Sequence, residues 1–224
     1  MKIGVIGHKG FLGKELIKVL SAIPANYDDK FDVIIDANGN SKKYLANKYP
    51  YYDFKKSVNS VYYNVLNLKY KEYYYISSFD VFKDNVYGFN KQLAENIVKY
   101  YCKNYNILRC SAIIGLEMKK GILYDYINNI PLSVSKESIL QFITNTEIAN
   151  IIKFMIFNKI INKIFTVGGF PPVKIGEVLK NAKYKDISVC QYYDYPIDYL
   201  KSFYYDIKSS EYYVLETLRK VNGI

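Results

Sequence analysis

In the stretch VYGFNKQLAEN a tyrosine, Tyr87, precedes a lysine, Lys91, by four residues. On a helix that spacing puts both side chains on one face. An ammonium beside a phenol favours the phenolate and draws its pKa from about 10 toward neutrality. Such a couple can pass a proton to or from a hydroxyl or ketone oxygen. Composition sets the bar high, however: with 26 tyrosines and 31 Lys+Arg, Tyr-to-Lys spacings of four arise by chance. Alone, the pair also reads as the exposed face of an amphipathic helix.

Two other features could share a site with it. Ser77 and Ser78 end an apolar run, EYYYISS, just upstream, and a serine hydroxyl there could hold the same substrate oxygen. Near the N-terminus, Gly7, Gly10 and Gly13 recur every three residues in GHKGFLG, directly after KIGVIG. Glycine at a strand-to-helix junction permits a tight turn and the close approach of a phosphate to unsatisfied helix N–H groups. His8 and Lys9 lie within that loop, where they could reach a phosphate or simply line an exposed turn.

Other chemistries are excluded by inventory. His8 is the single histidine, so histidine triads and multi-histidine metal sites are out. Cys102, Cys110 and Cys190 form no CxxC, which argues against a disulfide framework or zinc site and fits a reducing cytoplasm. No metal ligands are identified. The apolar run IIKFMIFNKIINKIF is broken by Lys153, Lys159 and Lys163, so no membrane span is expected, and with the strand-like KIGVIG near the N-terminus no signal peptide is expected. The net charge of +10 is spread over scattered lysines, which reads as codon bias or suits an anionic small molecule; no nucleic-acid recognition pattern accompanies it.

The elements that must position these residues alternate. Buried-strand runs occur in KIGVIG, FDVIIDANG, EYYYISS, YNILRCSAIIG and KIFTVGG, and helical periodicity fills FLGKELIKVLSAI, residues 53–66, residues 86–104, TNTEIANIIKFMIFN and VKIGEVLKNA. Alternating strands and helices predict an α/β fold with a parallel sheet covered on both faces. Gly168, Gly169, Phe170, Pro171 and Pro172 predict a turn. The last 40 residues are weakly periodic.

In order along the chain, GHKGFLG, DVIIDANG, YYYISSFDVF, VYGFNKQLAEN, ILRCSAIIG, QFITNTEIANII and FTVGG resemble the extended short-chain dehydrogenase/reductase family of sugar-nucleotide epimerases, dehydratases and reductases. The resemblance implies a Rossmann-like sheet binding NAD or NADP. It implies cofactor contacts from Gly7, His8, Lys9, Gly10, Phe11, Leu12, Gly13, Ala37, Asn38 and Lys91. It also implies a catalytic group of Ser78, Tyr87 and Lys91, with Ser77 as the less favoured serine. Substrate contacts fall on Ser78 and Arg109. The expected partner is a nucleotide-sugar substrate, with no nucleic acid and no membrane, and a homodimer through helices like that of Tyr87 is compatible.

The chain departs from the family in several places. Only PANYDDK separates the first helix from the family's fourth strand, so the second and third strands are missing, and with them the residue that reads the adenosine ribose. The first strand would then be an edge, a hazard for association. Residues 23–30, the KYPYYDF segment or a second subunit are expected to cover it. Ser57 stands where many members carry an asparagine near the lysine, and Cys110 replaces a common proline. Phe79 and Asp80 follow Ser78 where dehydratases carry an Asp-Glu pair, so epimerisation or 4-keto reduction is favoured over dehydration. The expected layout is a dinucleotide-binding core over residues 1–115, and over residues 116–224 a segment that completes it and forms a small substrate-binding lobe, as one compact, cytoplasmic unit. The alternative is a degenerate member serving as a dinucleotide-binding or scaffold protein.

Overall fold

The computed structural model describes residues 1–40 and 42–223. Along the chain run β1 (Ile3–Ile6), α1 (Phe11–Leu20), β2 (Ile23–Pro24), β3 (Lys30–Asp36), α2 (Pro50–Phe54), α3 (Ser60–Asn67), β4 (Lys69–Ser78), α4 (Val86–Tyr101) and β5 (Tyr105–Cys110). There follow β6 (Ala112–Ile114), α5 (Ile122–Ile127), β7 (Leu132–Val134), β8 (Ile139–Leu140), β9 (Phe142–Thr144), α6 (Asn145–Phe157) and β10 (Lys163–Val167). The chain ends with β11 (Val173–Lys174), α7 (Ile175–Val178), β12 (Tyr184–Val189), α8 (Asp198–Lys201) and α9 (Ser210–Asn222). Two units emerge, one of residues 1–109 and 149–165 and the other of residues 110–148 and 166–224.

The first unit is built on a six-stranded sheet in the order β10-β5-β4-β3-β1-β2. The pairs β2–β1, β1–β3 and β3–β4 are parallel, with Ile6 opposite Asp36 and Asp36 opposite Tyr75. A strand buried on both faces need not alternate in polarity, and β4 uses this fully. Tyr73, Tyr74 and Tyr75 follow one another, and each is 0% exposed. On one face Phe31, Ile34, Tyr73, Tyr75 and Ile107 pack with Val61, Val65, Ala94 and Val98, which α3 and α4 bring down onto the sheet. This is the α/β sheet that the alternation of strands and helices predicts, in the Rossmann-like form that the resemblance implies.

The edge of β1 is covered, and by the first of the expected segments. Ile23 and Pro24 pair in parallel with Gly4 and Val5. A two-residue strand therefore stands where none was expected. Proline tolerates that position because an edge strand needs no outward N–H donor. From there residues 25–29 lead directly to β3: Ala25 packs against the α3/α4 core cluster, and the Tyr27 hydroxyl donates to Asn64 Oδ1 at 2.9 Å.

The second unit consists of short pairings, β6 with β9, β7 with β12 and β8 with β11. Helical periodicity over VKIGEVLKNA yields only the single turn of α7, because Val173 and Lys174 are taken by β8 and the Gly176 N–H donates to Lys136 O at 2.9 Å. Conversely the weakly periodic tail contains α9, which Ser209 caps by accepting from the Tyr212 N–H. Among the described residues no helix is long and apolar enough to cross a membrane.

Candidate active site

Gly7 closes β1 in a left-handed conformation with φ +80°, and a Cβ there would lie 2.9 Å from Ala37 O and 3.0 Å from the Asn38 N. The glycine loop and the end of β3 are thus in backbone contact. Gly13 permits a second close approach, since its Cβ would fall 2.1 Å from Gly7 O. Between them Gly10 is the N-cap of α1 without any side-chain cap, and the first turn holds no acid. The leading N–H groups of α1, those of Phe11, Leu12 and Gly13, precede the first intrahelical bond, from the Lys14 N–H to Gly10 O at 3.0 Å. Uncapped N–H groups at a helix start, approached closely through glycine, fit a phosphate. Lys9 is exposed and His8 half-buried in the loop, while the Leu12 and Gly13 positions are buried.

We expect Gly13→Ala to force α1 off the loop. Overpacking of this kind costs about 1–3 kcal/mol, and a thermal unfolding curve for the variant should show it together with weakened binding of a dinucleotide.

Asn38 is held by a residue the sequence reading passed over. Asp36, 0% exposed at the end of β3, accepts from the Asn38 N–H at 3.0 Å, the Asn64 amide at 3.0 Å and the Tyr73 hydroxyl at 2.6 Å. Burial pushes its carboxyl above the usual range, and the three hydrogen bonds and the nearby Lys91 ammonium pull the other way. A second buried acid, Asp53 on α2, accepts from Asn40 and from Asn90 on α4, each at 2.7 Å, and so ties the segment after β3 to α4. An aspartate inside an apolar run was the available signal for Asp36; its partners lie 28 and 37 residues away and leave no local pattern.

The other half of the site forms where β4 ends. Ser78 caps a 3-10 turn, Phe79–Phe82: its Oγ accepts the Asp80 N–H at 3.2 Å and donates to Asp80 Oδ2 at 3.0 Å. Asp80 is in turn paired with Lys43 at 2.8 Å. Asn85 then starts α4, its Oδ1 accepting the Gly88 N–H at 2.8 Å. This cap fixes Tyr87 in the first helical turn, half-buried, with Lys91 one turn further on. Lys91 is only 4% exposed; its Nζ donates to Ile76 O at 3.0 Å and lies 4.8 Å from the Tyr75 ring centroid and 6.0 Å from that of Tyr87. A Cβ on Gly39 would come within 3.3 Å of that same Nζ. The ammonium therefore joins the ends of β3 and β4, next to Asn38 and one residue from the glycine-loop contact.

Not every predicted contact converges there. Arg109 lies against Glu95 instead: its Nε and Nη2 reach the carboxylate at 2.6–3.2 Å, and its guanidinium stacks 5.0 Å from the Phe82 ring centroid. Ser77 is committed to the same acid, donating to Glu95 Oε1 at 2.6 Å. Of the two serines, then, Ser77 is buried and engaged, and Ser78 is half-buried at the end of β4. Two buried hydroxyls, those of Ser57 and of Tyr75, whose ring faces the Lys91 ammonium, have no hydrogen-bond partner among the described residues. Ser57 lies in a π-helical turn, Lys55–Asn59, between α2 and α3, a distortion frequent at functional sites.

No family model and no curated protein sequence matches the chain. Solved structures do. A UDP-N-acetylglucosamine 4-epimerase from Methanobrevibacter ruminantium, in complex with UDP-N-acetylmuramic acid, superposes with TM-score 0.78 at 14% identity, covering 100% of this chain and 99% of its own. A UDP-glucuronic acid 4-epimerase from Bacillus cereus, in complex with UDP-glucuronic acid and NAD, gives 0.78 at 13% identity over 100% and 99%. A dTDP-4-dehydrorhamnose reductase from Bacillus anthracis, in complex with NADP, gives 0.80 at 17% identity over 98% and 100%. At such identities the likeness establishes the fold.

Proposed function

We propose that this chain, which has the fold of the extended short-chain dehydrogenases/reductases, is an NAD(P)-dependent enzyme that epimerises or reduces a nucleotide-linked sugar at a carbonyl or carbinol carbon. The observation that carries the reading is the buried Lys91 ammonium, adjacent at once to the Tyr87 ring and to Gly39 beside the glycine loop. In this reading the uncapped start of α1 holds the pyrophosphate, with Gly7, Gly10 and Gly13 admitting it and Ala37 and Asn38 lining the next strand end. A nicotinamide dinucleotide, when bound, supplies or accepts the hydride. Tyr87 gives or takes the proton at the sugar oxygen, Lys91 holds Tyr87 toward its phenolate form, and Ser78 hydrogen-bonds the same oxygen. The net charge of +10 suits a substrate bearing a diphosphate.

A second reading, a dinucleotide-binding or scaffold protein without turnover, is favoured by the shortness of β2. The two separate when the full chain is incubated with reduced dinucleotide and a panel of nucleotide-linked 4-keto sugars, and with NAD and the corresponding 4-hydroxy sugars. Loss of nicotinamide absorbance or inversion at the carbinol carbon supports the enzyme. Intact sugars across the panel, with dinucleotide bound, would move the assignment to the scaffold.

A further inference from the structure

In a sheet whose glycine loop takes a pyrophosphate, the strand beside the first one delivers the side chain that reads the adenosine ribose, an acid for its hydroxyls or a cation for a 2′-phosphate. Here that strand is β2, and it stops early. Pro24 is level with Val5, and the chain leaves the edge at Ala25, whose N–H donates to Val5 O at 3.1 Å. No β2 residue is level with Ile6 or Gly7.

Of the acids in the loop that follows, Asp29 is turned to the other end of β1. Asp29 accepts from Asn26 Nδ2 at 2.7 Å and pairs with Lys2 Nζ at 3.0 Å. The Asp28 and Asp29 N–H groups both donate to Asn26 Oδ1, which closes this loop on itself. Lys2 and Gly7 are separated by five residue steps, roughly 16 Å of extended strand. In the loop itself the charged side chain is that of Lys9, which is exposed, beside the half-buried His8. A ribose placed at this edge finds no β2 side chain level with the glycine loop to read its hydroxyls, and one exposed lysine, Lys9, able to favour a 2′-phosphate.

We propose, resting on the enzyme reading above, that this site takes NADH and NADPH alike, exchanges them at every turnover, and therefore catalyses net reduction of a keto sugar. The chemistry decides between the two reactions. Epimerisation removes a hydride from a carbon and returns it to the other face, so the same dinucleotide must stay until the ketone is reduced again; early release strands the ketone. Net reduction breaks the C=O π bond, adds a hydride to carbon and a proton from the Tyr87 hydroxyl to oxygen, and oxidises one reduced dinucleotide, which must then leave. Tyr87 recovers its proton from solvent. A weakly gripped adenosine end impairs the first sequence and serves the second.

The test uses the full chain. Denatured protein is assayed for co-purified dinucleotide, and NADH and NADPH are titrated by fluorescence. The expected result is no retained dinucleotide and micromolar affinities within about tenfold of each other, a difference under 1.4 kcal/mol. Lys9→Glu should weaken NADPH about tenfold more than NADH. Near-stoichiometric retained cofactor, or a preference beyond about a hundredfold, overturns the inference and leaves the enzyme reading standing. Lys9→Glu acting equally on both cofactors removes Lys9 from 2′-phosphate recognition. Absence of binding by either at millimolar concentration overturns the enzyme reading and the inference together.

Discussion

Tyr87→Phe is expected to lower turnover by about 10²- to 10⁴-fold, the range a positioned acid/base group contributes, and to leave dinucleotide affinity largely unchanged. The substitution removes one oxygen from a ring that the structure holds by other means. The Asn85 cap fixes the start of α4 through the Gly88 N–H at 2.8 Å, and the Lys91 Nζ sits 6.0 Å from the ring centroid, a contact phenylalanine also offers. Lys91 keeps its hydrogen bond to Ile76 O, so the junction between β3 and β4 stays intact. What is lost is the proton route to the sugar oxygen. The measurement is hydride transfer in a single turnover beside a fluorescence titration of NADPH. Fully retained transfer would take Tyr87 out of the mechanism; loss of both transfer and binding would show that the hydroxyl also holds the dinucleotide site together.

The sequence and the structure agree where the determinants are local. A glycine every three residues after an apolar run marks one strand, turn and helix, because only glycine admits the backbone contacts of Gly7 with Ala37 and of Gly13 with Gly7. Tyr87 and Lys91 share a face because four residues make about one helical turn. The polar interior was not legible. Asp36 meets Asn64 and Tyr73, Asp53 meets Asn40 and Asn90, and Glu95 meets Ser77 and Arg109. These pairs are 13 to 37 residues apart, so neither member announces the other. Arg109 shows the consequence: matched to a substrate contact by its position in one motif, it is engaged by a buried acid, Glu95, that belongs to another. The second unit was obscure for a related reason. Two- and three-residue strands such as β8 and β11 have no room for a periodic signature, and their pairing is set by partners more than 30 residues distant.

The Glu95 cluster yields the largest expected effect on stability. Glu95 is 0% exposed in α4, and it receives Ser77 Oγ at 2.6 Å, Arg109 Nε at 3.0 Å and Arg109 Nη2 at 2.6 Å. These contacts clamp α4, which carries Tyr87 and Lys91, to β4 and β5. Removing one partner of a buried pair costs about 3–5 kcal/mol, chiefly because the other charge is left desolvated and alone. The Arg109 side chain is 20% exposed and keeps some access to water, so Glu95→Ala is placed at the lower end, about 3 kcal/mol. For a chain of this size that corresponds to a fall in Tm of roughly 6–12 °C. The double variant Glu95→Met/Arg109→Met separates the penalty from the worth of the pair. An apolar replacement of both partners leaves no stranded charge, and the double variant should melt well above Glu95→Ala. If the double variant is as unstable as the single one, the cluster is worth its own contacts, and its charge is not what α4 pays for being anchored there.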